Sequence, residues 1–207
     1  MSEDVSTPPS TELPADVTPE NAPSLVKLKV IGLLIFVVWL PFDLWSKAYM
    51  QDKLGLVANQ PRGAHDIDVI PGFLAWQGTW NPGVTFGLAP GQTNLILALT
   101  SIATIGLIIW FFGTKLRSRC LHFGLALILS GAIGNLYDRW EWGQVRDFIL
   151  VYLGKLEDPS WTWPNFNVAD MGIVVGVGLV LWDALFGLGA KDAKQKTELR
   201  KAAKAGS

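Results

Sequence analysis

The residues that could do chemistry in this chain are carboxylates placed where apolar runs end. Ser130-Gly131-Ala132-Ile133-Gly134-Asn135-Leu136-Tyr137-Asp138-Arg139 closes one such run, and Val145-Arg146-Asp147-Phe148 follows shortly after. Phe166-Asn167-Val168-Ala169-Asp170 opens the next run. Ionisable groups are costly at the edge of hydrocarbon, so their presence there points to function. If the two runs are antiparallel helices, the end of one lies near the start of the other, and Asp147 and Asp170 meet at a membrane surface. Two carboxylates within hydrogen-bond distance cannot both ionise easily and share a proton. The ionised member can then activate a water while the protonated member donates to a peptide carbonyl. That is the chemistry of aspartic proteases. As an isolated pair the two carboxylates would read as solvated loop or cap groups. The surrounding Asn135, Asp138, Arg139 and Asn167 favour the catalytic reading.

The other polar groups fall around this pair. Asp138 and Arg139 are adjacent and read as a structural ion pair holding the outer ends of helices. Asp43 and Lys47 have the i, i+4 spacing of a helical acid–base pair. A Ser46–Lys47 nucleophile–base dyad is disfavoured, because adjacent residues on a helix point apart. Asn81-Pro82-Gly83-Val84-Thr85-Phe86-Gly87 is a turn by itself; beside the carboxylates it suits backbone docking of an extended peptide. His122 reads as a packed or interfacial residue, Asp183 as a group reaching water or a neighbouring helix, and Cys120 as inert. His65 and His122 form no HExxH pair, and no P-loop or dinucleotide fingerprint occurs. No metal and no cofactor is expected.

Stepping along the chain gives the elements that must position these groups. Half of the 207 residues are hydrophobic and 17% are charged, against about 25% charged in an average soluble domain. Mean hydropathy is positive, and ten tryptophans are many for this length. The single cysteine excludes an intrachain disulfide. No basic patch interleaved with aromatics suggests nucleic acid. Residues 1–24 are rich in Ser, Thr, Pro and acids and read as a disordered tail rather than a cleavable signal peptide. Spans are expected over residues 25–45, 94–113, 120–138 and 169–189, each long enough to cross about 30 Å of hydrocarbon. Pro41 should loosen the first span just before Asp43. Gly124, Gly131 and Gly134 on the third span and Gly172 and Gly176 on the fourth allow close helix approach. Loops 46–92 and 139–167 lie outside the membrane. The first should form a small sheet, with Trp76 and Trp80 at headgroup depth. Residues 191–207 form a basic tail. Eleven Lys and Arg flank one side of the spans and six the other, which puts both termini in the cytoplasm and the carboxylates on the outer side.

Five blocks occur in one order: Asp43-Leu44-Trp45-Ser46-Lys47, the Asn81–Gly87 turn, the 131–139 segment, Val145-Arg146-Asp147-Phe148 and Phe166-Asn167-Val168-Ala169-Asp170. Over roughly residues 28–188 the chain resembles lipoprotein signal peptidase (signal peptidase II), the bacterial membrane aspartic peptidase. The resemblance implies an α-helical polytopic membrane protein with four transmembrane helices, a small extracytoplasmic β-sheet or cradle, and a short periplasmic helix. It implies that Asp147 and Asp170 are catalytic, with Asp43, Lys47, Asn81, Gly83, Gly134, Asn135, Asp138, Arg139, Asn167 and Ala169 in support. The substrate would be a prolipoprotein carrying a diacylglyceryl group on its lipobox cysteine, cut just before that cysteine. Membrane lipid and the cyclic peptide globomycin are the other expected partners, and the inner membrane the location. Val84-Thr85 stands where the family usually has two small residues, and Ser130 where glycine is common. Rival readings are a small transporter with intramembrane acids, or an inactive binding protein for lipidated peptides. Clustering of the acids at one surface counts against the first, and an intact Asp147 and Asp170 against the second.

Overall fold

A computed structural model describes residues 23–58, 60–83 and 93–187. Residues 1–22 of the expected tail 1–24, all of the expected tail 191–207 and most of the Asn81–Gly87 block therefore lie outside the described residues. Four helices are long and apolar enough to cross a membrane: α1 (Leu25–Lys53), α2 (Thr93–Gly113), α3 (Arg119–Trp142) and α4 (Val168–Phe186). Between them lie β1 (Arg62–Ile70), β2 (Leu74–Asn81), β3 (Val145–Lys155) and β4 (Asp158–Thr162). The four strands form one antiparallel sheet in the order β1-β2-β3-β4. A separate short helix after α3 is not among the described elements.

The helix α1 extends beyond the expected span. It runs to Lys53 rather than ending near residue 45, and it continues without a break through Pro41. A prolyl residue removes one ladder hydrogen bond, and the remaining bonds of a 29-residue helix hold the turn. At 1.5 Å per residue α1 is about 44 Å long, so its last turns project beyond a hydrocarbon layer of about 30 Å. These turns carry Lys47, Gln51 and Leu54 to the level of the sheet.

α3 is the central helix. Its 24 residues include eleven buried ones, while α1, α2 and α4 expose valine, leucine and isoleucine along their outer faces. Glycine sets how closely α3 and α4 approach. A Cβ on Gly124 would meet the Gly176 carbonyl, and one on Gly176 the Gly124 carbonyl. Gly131 similarly lies against the backbone of Ala169, and Gly172 against the Trp39 ring. One end of the bundle is filled by Phe111, Leu121, Leu125 and Ala126. At the other end Met50 of α1, Leu54 just after it, Phe148 and Ile149 of β3 and Val168 of α4 form a second core, with Trp39, Trp76 and Phe166 against it.

Both tryptophans of β2 make contacts within the protein. Trp80 is buried and donates from Nε1 to the Val57 carbonyl at 2.9 Å. Trp76 packs on Phe148. A register shift falls between Trp76 and Thr79, with Trp76 opposite Ile149 and Trp80 opposite Arg146.

His122 is packed, as expected, and donates from Nδ1 to the Ser118 carbonyl at 2.8 Å. Asp183 finds a helix partner: the hydroxyl of Ser118, which caps the N-terminus of α3, donates to it. This pins α3 to α4 at the end opposite the carboxylate cluster.

Candidate active site

Asp147 lies on β3 and Asp170 in the first turn of α4. The chain brings them together through Asn167. This residue is the N-cap of α4: its side-chain oxygen accepts from the Asp170 N–H at 3.0 Å, and its own N–H donates to Asp170 Oδ2 at 3.1 Å. That reciprocal capping box satisfies two N–H groups at the helix start. The same Asn167 donates from Nδ2 to Asp147 Oδ1 at 2.6 Å. Asn167 thus holds both carboxylates, Asp147 through its side-chain amide and Asp170 through its backbone N–H. Asn81 donates to the other oxygen of Asp147 at 2.9 Å, and Asn135 to Asp170 Oδ1 at 2.7 Å. Asn81 pairs with Val145, two residues from Asp147, so its side chain and that of Asp147 project from the same side of the sheet.

Behind this pair lies a second cluster. Lys47, fully buried, sits 2.9 Å from Asp43 Oδ2 and 3.7 Å from Asp138 Oδ2. It donates to Asn135 Oδ1 at 2.9 Å, which orients that amide so that its NH₂ faces Asp170. Asp43 Oδ1 accepts from the Ala169 N–H at 2.8 Å, joining α1 to the first turn of α4. Gly134 makes room for this, since any Cβ there would collide with the Asp43 carboxylate. Asp138 does not pair with Arg139. Its partner is Arg146, whose guanidinium meets it at 2.5 Å and whose backbone N–H donates to it at 3.0 Å. Neighbours on a helix point about 100° apart, whereas β3 returns past the end of α3. Asp43 and Asp138 are thus balanced by Lys47 and Arg146, the arrangement a buried charge requires.

Asp147 and Asp170 are not balanced in this way. The charge of Arg139 acts on both, and that of Lys47 also acts on Asp147. It donates to the Asn135 carbonyl at 3.2 Å, while its buried Nε has no partner among the described residues. Asp147 is 1% exposed. Burial first, and the charge of Asp170 second, push its carboxyl up from 3.8 to about 7, against the pull of the Asn81 and Asn167 amides. An open cleft of about 240 Å³ lies beside it, lined by Thr79, Trp80, Asn81, Pro82, Pro164 and Asn165. Gly83 follows at φ +82°, in the left-handed region, with its N–H on Asn81 Oδ1 at 2.8 Å. That bond fixes which end of the Asn81 amide faces Asp147.

A family model described as signal peptidase (SPase) II matches residues 35–186. The chain belongs to the signal peptidase II family. It is 39% identical to a lipoprotein signal peptidase of Rhodopseudomonas palustris over 79% of this chain and 96% of that protein. It is 35% identical to the lipoprotein signal peptidase of Methylocella silvestris, over 76% and 87% respectively, and to that of Pseudomonas aeruginosa over 74% and 84%. Two solved structures described as a bacterial membrane enzyme superpose with TM-scores of 0.60 and 0.61 at 27% and 26% identity. They cover 75% of this chain and 87% and 93% of theirs.

All twelve residues singled out in this signal peptidase from its sequence fall in or directly around the cluster. Arg146 and Gln51 were missed. Arg146 Nη1 donates to Gln51 Oε1 at 2.9 Å, so one guanidinium ties α1, α3 and β3 together. The signal was present: Arg146 opens a mostly apolar strand, beside Asp147 and eight residues after Asp138.

Proposed function

We propose that Asp147 and Asp170 are the catalytic pair of this membrane aspartic peptidase, which removes the signal peptide from prolipoproteins. The observation that carries the assignment is the double hold of Asn167 on the two carboxylates. Asp147, with its carboxyl raised to about 7, holds the shared proton. Asp170 stands at the positive end of α4 and accepts N–H groups on both oxygens. Asp170 takes a proton from a water as the water oxygen attacks the scissile carbonyl carbon. Asp147 donates its proton to the carbonyl oxygen. Asp170 then passes its proton to the amide nitrogen while a hydroxyl of the tetrahedral diol returns one to Asp147, and the C–N bond breaks to leave a free carboxyl and a new N-terminal amine. Arg139, with an unused buried N–H, faces the substrate side and holds a peptide carbonyl.

Asp43, Lys47, Asn135, Asp138, Asn167, Gly134 and Ala169 form the support that fixes the pair. Asn81 and Gly83 form the wall along which an extended peptide lies. The segment from 25 to about 190 is the peptidase unit, flanked by cytoplasmic tails. The carboxylates lie at the outer end of the bundle, where a substrate diacylated on its lipobox cysteine arrives sideways with its chains in lipid. The basic residues at the opposite helix ends support that orientation. Globomycin occupies the same cleft.

The test is to incubate the purified protein with a diacylglyceryl-modified prolipoprotein, with and without globomycin. A loss of mass equal to the signal peptide, blocked by globomycin, is expected. An uncut substrate, or cleavage elsewhere than before the lipidated cysteine, would contradict the reading.

A further inference from the structure

We infer that Asn165 is a positioning residue for Asp147: it fixes the bulge in β2 that turns Asn81 toward the Asp147 carboxyl. Its consequence for cleavage rests on the catalytic assignment of Asp147. The bulge is visible in the strand register. Leu74, Ala75 and Trp76 of β2 stand opposite Val151, Leu150 and Ile149 of β3, whereas Thr79, Trp80 and Asn81 stand opposite Asp147, Arg146 and Val145. Across this step Gln77 and Gly78 face Phe148 alone, so β2 holds one residue more than β3. Continuing the first register would set Asn81 opposite Gln144 and Gly78 opposite Asp147. Paired residues project to one side and neighbours along a strand to opposite sides. Asn81 would then leave the side on which Asp147 lies. The extra residue moves Asn81 to Val145, where its amide reaches Asp147 at 2.9 Å.

A bulge interrupts the ladder, so its backbone polar groups need other partners. The Gln77 carbonyl finds one in Asn165, whose Nδ2 donates to it at 2.8 Å. A carbonyl only accepts, so the NH₂ end of the amide is the one that faces Gln77. Asn165 belongs to the segment leading into α4. The next residue, Phe166, is hydrogen-bonded to Ile149 along the edge of β3 away from β2. The Asn165 side chain therefore spans β3 to reach the bulge. Other contacts hold the same step: Gln77 Nε2 donates to Asp66 of β1 at 3.0 Å, and a Cβ on Gly78 would stand 3.3 Å from the Cβ atoms of Leu54 and Leu56. Of these groups only Asn165 also lines the cleft beside Asp147. The two asparagines flanking Phe166 divide the work. Asn167 holds Asp147 directly, and Asn165 holds the strand that brings Asn81 to it.

Without the Asn165 amide the Gln77 carbonyl loses its partner, and the bulge is free to slip along the strand. Asn81 then holds Asp147 for a smaller share of the time. The Asn81 hydrogen bond is one of the contacts that pull the Asp147 carboxyl down against burial. Loosening it leaves that carboxyl higher still.

The titration of Asp147 in the full chain tests this. Aspartate is labelled with ¹³C at the side-chain carboxyl and followed by NMR in detergent, the Asp147 resonance being the one missing from Asp147→Asn. The variants are Asn165→Ala, Asn165→Leu, Asn81→Ala and the double variant Asn165→Ala/Asn81→Ala. Leucine fills the space of the amide without its N–H, and thermal unfolding of the same samples establishes that each is folded. The Asp147 midpoint should move upward from about 7 in both Asn165 variants. The double variant should move no further than Asn81→Ala. With a diacylglyceryl prolipoprotein, kcat should fall about tenfold in each variant, the loss of one hydrogen bond to an ionisable group. KM should stay nearly unchanged, and the double variant should be no slower than Asn81→Ala. An unmoved midpoint in folded Asn165 variants would overturn the inference. So would shifts that add in the double variant, because a merely structural amide acts independently of Asn81. The catalytic assignment fails separately: cleavage by Asp147→Asn would remove it, while the titration would still decide the role of Asn165.

Discussion

Asp138→Ala separates the scaffold from the chemistry. The substitution removes a fully buried carboxylate that Arg146 contacts through Nε, Nη2 and its backbone N–H, and that stands 3.7 Å from Lys47. Lys47 keeps Asp43 and Asn135, but Arg146 keeps, among the described residues, the neutral Gln51 and the Trp142 ring and no anion. Leaving one partner of a buried pair uncompensated costs about 3–5 kcal/mol. At about 2–4 °C per kcal/mol for a chain of this size, the melting temperature falls by roughly 6–20 °C. Cleavage should fall with it, because Arg146 opens the strand that presents Asp147. The assay is thermal unfolding in detergent followed by tryptophan fluorescence, with cleavage of a diacylglyceryl prolipoprotein measured on the same samples. Adding Arg146→Ala should cost less in the Asp138→Ala background than in the wild type, since the two residues act as one unit. If Asp138→Ala unfolds at the wild-type temperature yet loses all cleavage, the reasoning is wrong, and Asp138 belongs with the reacting carboxylates.

Two further outcomes follow from the charges. Between 3.8 and about 7, folded Asp147 keeps a proton that the unfolded chain has released, so stability falls as pH rises through that window. The contribution is of the order of 4 kcal/mol. Asp147→Asn should flatten the fall in melting temperature across the window, and an unchanged slope in that variant would assign the titration to other groups. For topology, a reporter active only outside the cytoplasm, fused after Ser207, should be silent; activity there would reverse the orientation drawn from the eleven and six basic residues.

Much of this was legible because the membrane simplifies the sequence. Apolar runs of span length can only be helices in hydrocarbon, and α2, which carries no charge, is expected and found within a residue of the same limits. The glycines of α3 and α4 lie at the contact that their spacing suggests. Boundaries in water were harder. Residues 46–53 are mixed in polarity, and nothing in them signals that α1 continues until the sheet they support is in place. The carboxylates could be named because ionisable groups are rare near apolar runs, but their pairing could not. Asp138 was matched to its neighbour in sequence, whereas its partner comes from a strand that folds back beneath it. The role of Asn167 as the residue that holds Asp147 and Asp170 at once depends on a helix cap and a strand meeting, and such a meeting is a property of the fold rather than of either segment.

The central claim is that Asp147 and Asp170 act as one catalytic unit, and the most direct measurement is cleavage by single and double asparagine variants. Asp147→Asn, Asp170→Asn and the double variant are assayed against a diacylglyceryl prolipoprotein beside the wild type. Each single variant should be folded and inactive, with the double variant no worse than either, as for residues that work together. Substantial turnover by either single variant, in protein that carries no wild-type enzyme, would contradict the aspartic mechanism.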